Sequence, residues 1–192
     1  MSRRNCQLTA LLAGVAVALL SHAPARAQTA APTNPYTPYQ HRALYLFNFA
    51  KYTEWPPEAF PGTNSPFVLG IVGKDPFGRD VDIIAGKPIK NRRLVVRRFE
   101  SLREVHGCHL LFLGLSETNG LPEALTELQP SSTLTIAELD GFIPSHGMIN
   151  LVVEQKSPGF QTIGFEINQA AAERARLKID PQLLRLARPV PK

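Results

Sequence analysis

With 192 residues, 44% of them apolar and 19% charged, the chain has the composition of a single globular domain with a sizeable core, and not that of a disordered or fibrous protein. Its formal net charge of +5 does not argue for nucleic-acid binding: once Arg3, Arg4 and Arg26 are set aside with an N-terminal signal, 18 basic residues face 16 acidic ones. Of its two cysteines only Cys108 lies beyond that signal, which excludes an internal disulfide in the mature chain.

Residues 1–27 have the parts of a secretory signal peptide. Arg3 and Arg4 form a positive start, Leu8–Leu20 is a run of 13 uncharged and mostly apolar residues, and Ala25-Arg26-Ala27 is a small-residue cleavage site. The run is short for a membrane span. The spacing therefore predicts export to the periplasm and a mature protein starting near Gln28. Residues 28–38, rich in Pro, Thr and Ala, read as a flexible leader to a single domain over residues 39–189.

A helix is predicted over Tyr39–Glu54, stopped by Trp55-Pro56-Pro57. Ala43, Leu46, Phe47 and Ala50 share one face, while Tyr45, Phe49 and Tyr52 form a second stripe, which serves either the core or a dimer or partner contact. Phe67–Val72 reads as a buried strand. In the turn that follows, Gly73-Lys74-Asp75-Pro76 lacks the spacing of a phosphate loop, so Asp75 reads as a cap with Pro76 opening a short helix over Arg79–Ala85. Strands follow at Leu94–Phe99 and His109–Leu113, then a helix at Leu121–Leu128 and a strand at Thr133–Ala137. The cluster His106, Cys108, His109 does not fit a zinc pattern.

After a loop over Asp140–Gly147 come two strands, Met148–Glu154 and Gln161–Ile167, joined by Lys156-Ser157-Pro158-Gly159. Asn168 caps a helix running to about Arg176, and Asp180-Pro181 starts a short helix carrying Leu183, Leu184 and Leu186. Strands alternating with short helices predict a three-layer α/β/α sandwich, with a mainly parallel sheet and an antiparallel hairpin at one edge. Ligands of such sheets bind beyond the carboxyl ends of the strands, which singles out Lys74, Asp75, Asp140 and His146 as loop residues of interest. No activated nucleophile, cofactor fingerprint or metal set appears, and none is assigned.

Several segments together resemble the YfiR-like family of bacterial periplasmic proteins: ALYLFNFAKYTEWP (43–56), GIVGKDPFG (70–78), CHLLFL (108–113), LTIAELDGFIPSHGMINLVVE (134–154) and GFEINQAAAERARLKIDPQLLRLA (164–187). The resemblance implies a non-enzymatic repressor, often dimeric. Such a repressor binds the periplasmic sensor of an inner-membrane diguanylate cyclase, or in some relatives a histidine kinase, and so holds down cyclic-di-GMP synthesis and biofilm growth. The alternatives are a small-molecule or peptidoglycan-fragment binding module and an unrecognised envelope enzyme. The family often has paired glycines where this chain has His146-Gly147, and its disulfide-bearing members use cysteine pairs that this chain lacks. The resemblance also favours a partner surface at the end of the fold, where Arg174, Arg176 and Arg185 surround Leu183, with Glu166 orienting the helix.

Overall fold

The computed structural model describes residues 35–114, 116, 121–157 and 160–190. The predicted signal peptide, most of the predicted leader and Pro158-Gly159 of the predicted turn lie outside the described residues. No helix among the described residues is long and apolar enough to cross a membrane.

Helix α1 spans Pro38–Lys51. It starts one residue earlier than predicted because Thr37 and Gln40 form a capping box: the Thr37 hydroxyl accepts from the Gln40 amide at 3.0 Å, and the Gln40 side chain accepts from the Thr37 amide at 3.1 Å. It also stops sooner, because Thr53-Glu54 leave the helix as strand β1. Strands β2 (Phe67–Val72), β3 (Pro88–Ile89), β4 (Arg92–Phe99), β5 (Leu110–Leu113), β6 (Leu134–Ala137), β7 (Ile149–Ser157) and β8 (Phe160–Ile167) form a seven-stranded sheet in the order β3-β4-β2-β5-β6-β7-β8. The pairs from β4 to β7 are parallel, as predicted, and the β7–β8 edge is antiparallel, as predicted. A second antiparallel pair, β3–β4, closes the other edge. Its turn places Lys90 and Asn91 at φ of 44° and 67°, the twist that suits a tight hairpin, but the lysine hides the signal that Asn-Gly would have given.

The predicted helix over Arg79–Ala85 is only a 3-10 turn, Asp80–Ile83. Its cap is present, with Asp75 Oδ1 accepting from the Phe77 amide at 2.7 Å. Gly78, at φ 52°, and the β-branched Val81, Ile83 and Ile84 then deny an α-helix its first turns. Helix α2 (Leu121–Leu128) forms where predicted. At the end of the chain, α3 (Gln169–Arg174) is capped by Asn168 and α4 (Pro181–Leu186) by Asp180, with β9 (Lys178–Ile179) between them.

Alternation along the strands divides the core. Phe67, Leu69, Ile71, Leu110, Phe112, Leu134 and Ile136 face α1 and α3, whereas Val72, Leu111, Leu113 and Ala137 face α2 and the loop residue Phe142. The two layers over the sheet are unequal, and the sheet is strongly curled. Helix α1 explains the curl. The Tyr45 hydroxyl donates to the Ile163 carbonyl on one edge strand (2.9 Å), and Phe47 lies under the Lys87 ammonium beside the opposite edge (5.8 Å). A flat sheet of seven strands is about 29 Å across, but a helix is only about 10 Å wide. The sheet therefore wraps round α1.

His146 sits at φ 71°, where a residue with a Cβ is strained, and a Cβ on neighbouring Gly147 would fall 2.4 Å from the Phe142 ring. His146 thus keeps, at a cost, a backbone shape that glycine takes freely. His146→Gly is expected to stabilise the fold by about 0.5–1 kcal/mol in urea titrations.

Cys108 opens β5. It is buried, with its thiol beside the His106 carbonyl, and burial pushes its pKa up to about 11. A thiol so held is a small hydrophobe rather than a nucleophile. Cys108→Ser is expected to cost about 1 kcal/mol in thermal melts, and reductant is expected to leave wild-type folding unchanged.

Candidate partner-docking groove

The groove begins with Trp55-Pro56-Pro57, the residues that follow β1. The indole packs edge-on to Phe67 at 5.0 Å, and its N–H donates to the His109 carbonyl at 3.1 Å, fixing it at the amino ends of β2 and β5. The facing wall comes from the far end of the chain. Strand β1 pairs antiparallel with β9, Thr53 opposite Ile179 and Glu54 opposite Lys178, and the Asp180 amide donates to the Tyr52 carbonyl. Between the walls lies an open cavity of about 550 Å³ lined by Glu54, Trp55, Pro56, Pro57, Glu173, Arg176, Leu177 and Lys178. On the other side of Trp55 a smaller hollow of about 190 Å³ is bounded by Phe60, Phe67, Ile89, Lys90 and Arg92. Trp55 is thus an apolar ridge, with Arg176 and Lys178 facing the carboxylates of Glu54 and Glu173 on one side and Lys90 and Arg92 beside Glu54 on the other.

Arg176 is the unusual residue of this wall. Helix α3 ends with the Leu177 amide bonded to the Ala172 carbonyl and the Arg176 amide to Glu173, a closure whose turning residue adopts the left-handed conformation. Glycine normally takes that place. Here Arg176 takes it at φ 60°, and its guanidinium reaches the Pro130 carbonyl at 3.5 Å.

The other residues singled out from sequence separate into groups. Arg174 on α3 and Arg185 on α4 are exposed, Leu183 is buried, and Leu186 stands 72% exposed at the end of α4. Glu166 lies on β8 opposite Asn150, whose side-chain amide donates to it at 3.3 Å. Tyr45, Phe49 and Tyr52 do not form one free surface: Phe49 is wholly buried against Phe165, Tyr45 is tied to Ile163, and only Tyr52 is largely exposed.

A family model for YfiR/HmsC-like proteins matches residues 39–188, the whole described fold from α1 to α4. The chain belongs to the YfiR/HmsC-like family (DUF4154). This is a family of periplasmic, generally non-catalytic regulators of diguanylate cyclases. No curated protein matches the chain. Within this YfiR/HmsC-like chain, Trp55-Pro56 at the end of the 43–56 segment and Arg176–Lys178 inside the 164–187 segment lie far apart in sequence and line one groove.

The loop residues lie at the opposite end of the sheet. Lys74 is exposed, and its amide donates to the Ser116 hydroxyl at 2.9 Å. Asp75 is used locally, capping Phe77 and pairing with Arg98 at 2.7 Å. Asp140 and His146 are exposed on the loop after β6, away from Lys74's crevice, which is lined by Tyr39, Lys74, Pro76, Phe112, Leu113, Gly114 and Glu138 and holds about 270 Å³. Among the described residues no group of three or more His, Cys, Asp or Glu is placed to hold a metal.

The ion pairs were not read from the sequence, and those of Arg42 and Arg188 join distant segments. Arg42, 5% exposed inside α1, grips Glu138 with both ends of its fork, at 2.6 and 3.0 Å. Arg188 donates to Glu154 across Gly164, where a Cβ would fall 2.1 Å from the arginine Nε. Hydrogen bonds from Arg188 and Lys156 pull the Glu154 carboxyl down to about 2. Its backbone also joins the sheet, the Arg188 amide donating to the Phe165 carbonyl at 2.8 Å. Gly164, in the GFEIN segment, is the visible trace of that strap.

Proposed function

We propose that this protein is a periplasmic repressor that binds the periplasmic sensor of an inner-membrane diguanylate cyclase through the Trp55 groove. The observation that carries this reading is Arg176. At the end of α3 a glycine would relieve the left-handed strain, so an arginine there is not a choice for stability. Its side chain and Lys178 stand with Glu54 and Glu173 around the Trp55 ridge, an aromatic and an arginine of the kind enriched at interaction hot spots inside a rim of mixed charge. Arg174, Arg185 and the exposed Leu186 extend the same basic and apolar character over the end of the fold. A homodimer fits the family but is not required by this geometry.

Arg176→Gly separates the two roles of the residue. It is expected to raise stability by about 1 kcal/mol in urea titrations while weakening binding to the cyclase's periplasmic domain at least tenfold in biolayer interferometry. Charge reversal at Arg174 or Arg185 is expected to weaken binding less and to leave the circular dichroism unchanged. A well-folded Arg176→Gly protein that binds the cyclase as tightly as wild type would move the interface elsewhere.

A further inference from the structure

The sheet order places a second site at the end opposite the groove. The chain leaves β2 for β4 on one side and returns to β5 on the other, so the strand order reverses between β2 and β5. A crevice is expected at the carboxyl ends of the strands where the order reverses in this way. It is present, about 270 Å³ in volume, between the loop after β2, the end of β5 and the start of α1.

The crevice has fixed walls. A Cβ on Gly114 would lie 2.5 Å from the Lys74 carbonyl and 3.0 Å from that of Val72, so the two loops touch, and Ser116 holds the Lys74 amide. Pro76, Phe112 and Leu113 give it apolar walls. Phe77 meets both Phe112 and Tyr39 edge to face, at 4.8 and 5.9 Å, which sets the Tyr39 ring at the rim.

The charges around it do not cancel. Glu138 is held by both ends of Arg42, and Asp75 next to Lys74 is held by Arg98. Among the described residues the Lys74 ammonium meets no carboxylate. The site therefore presents one positive charge beside a small, mostly aromatic and aliphatic hollow, the few-polar, mostly apolar composition of ligand pockets.

We propose that this crevice binds a small carboxylate with a flat apolar body, its anion taken by Lys74 and its body lying against Tyr39, Phe112 and Leu113. This site does not depend on the groove or on the cyclase.

The probes are phenylacetate and phenylacetamide, which share shape and differ in charge, titrated into the purified protein and followed by saturation-transfer NMR. Wild type is expected to bind the acid about tenfold more tightly than the amide, the scale of one charge-assisted contact. Lys74→Met, at an exposed position, is expected to fold normally and to reduce acid binding to the level of the amide, with amide binding unchanged. The proposal is overturned if wild type binds neither probe, if it binds both equally, or if Lys74→Met keeps the preference for the acid. Binding to the cyclase's sensor domain, measured separately, decides the groove without bearing on this result.

Discussion

Glu138→Ala is expected to destabilise the protein by about 3 kcal/mol, and Arg42→Met by distinctly less. The pair is asymmetric in burial: the arginine side chain is 6% exposed, the carboxylate 34%. Removing the carboxylate strands a guanidinium beneath Tyr39, whose ring lies 4.9 Å away, with only the Pro38 carbonyl still bonded to it. Removing the arginine instead leaves a carboxylate that water can reach, and methionine fills part of the space. The double variant should therefore be more stable than Glu138→Ala alone. Urea denaturation of the three variants checks this. If Arg42→Met proves as costly as Glu138→Ala, the buried charge is not what the pair is holding in check.

Acid is expected to weaken the fold through His109. The imidazole is 4% exposed, stacked between Phe60 and Phe67 at 4.3 and 5.0 Å. Its Nδ1 accepts from the Val68 amide at 3.0 Å, and its Nε2–H donates to the Ala59 carbonyl at 3.1 Å, so both nitrogens are used by the neutral ring. Burial pushes its pKa down from 6.5 to about 4. The unfolded chain then takes up a proton near pH 6.5 that the folded protein refuses until near pH 4. The contribution is complete above pH 6.5 and is lost as pH falls towards 4. Between pH 7 and 4.5 the loss amounts to about 2.5 kcal/mol. His109→Gln offers the same two hydrogen bonds without the titration. Its stability should fall much less over that interval, measured by urea melts at the two pH values. An equal fall in both proteins would assign the acid sensitivity to other groups.

The parts of this fold that were legible in the sequence are those with a local cause. Asn168 and Asp180 each cap the helix that follows them, and Asp75 caps its turn, because a short polar side chain acts on amides two or three residues away. The apolar runs at Phe67–Val72 and Leu110–Leu113 became the central strands because strands buried on both faces leave little else. What was not legible depends on residues far apart. Nothing near Arg42 announces Glu138, and nothing near Thr53-Glu54 announces Lys178-Ile179. Two-residue strands are too short for any periodicity to show. The left-handed backbone of Arg176 and of His146 was equally hidden, since sequence patterns reserve that shape for glycine.

The pairing of β1 with β9 has a consequence for how the molecule comes into being. It joins residues near the start of the domain to residues near its end, so closing it costs the chain entropy of a very long loop, and its reward comes only after the sheet between has formed. The docking groove is therefore among the last features to assemble, and a chain that stops short of Lys178 cannot make its second wall. If the proposed partner grips both walls, its binding reads whether the protein is finished: a truncated chain offers half a groove, and only the completed molecule offers all of it.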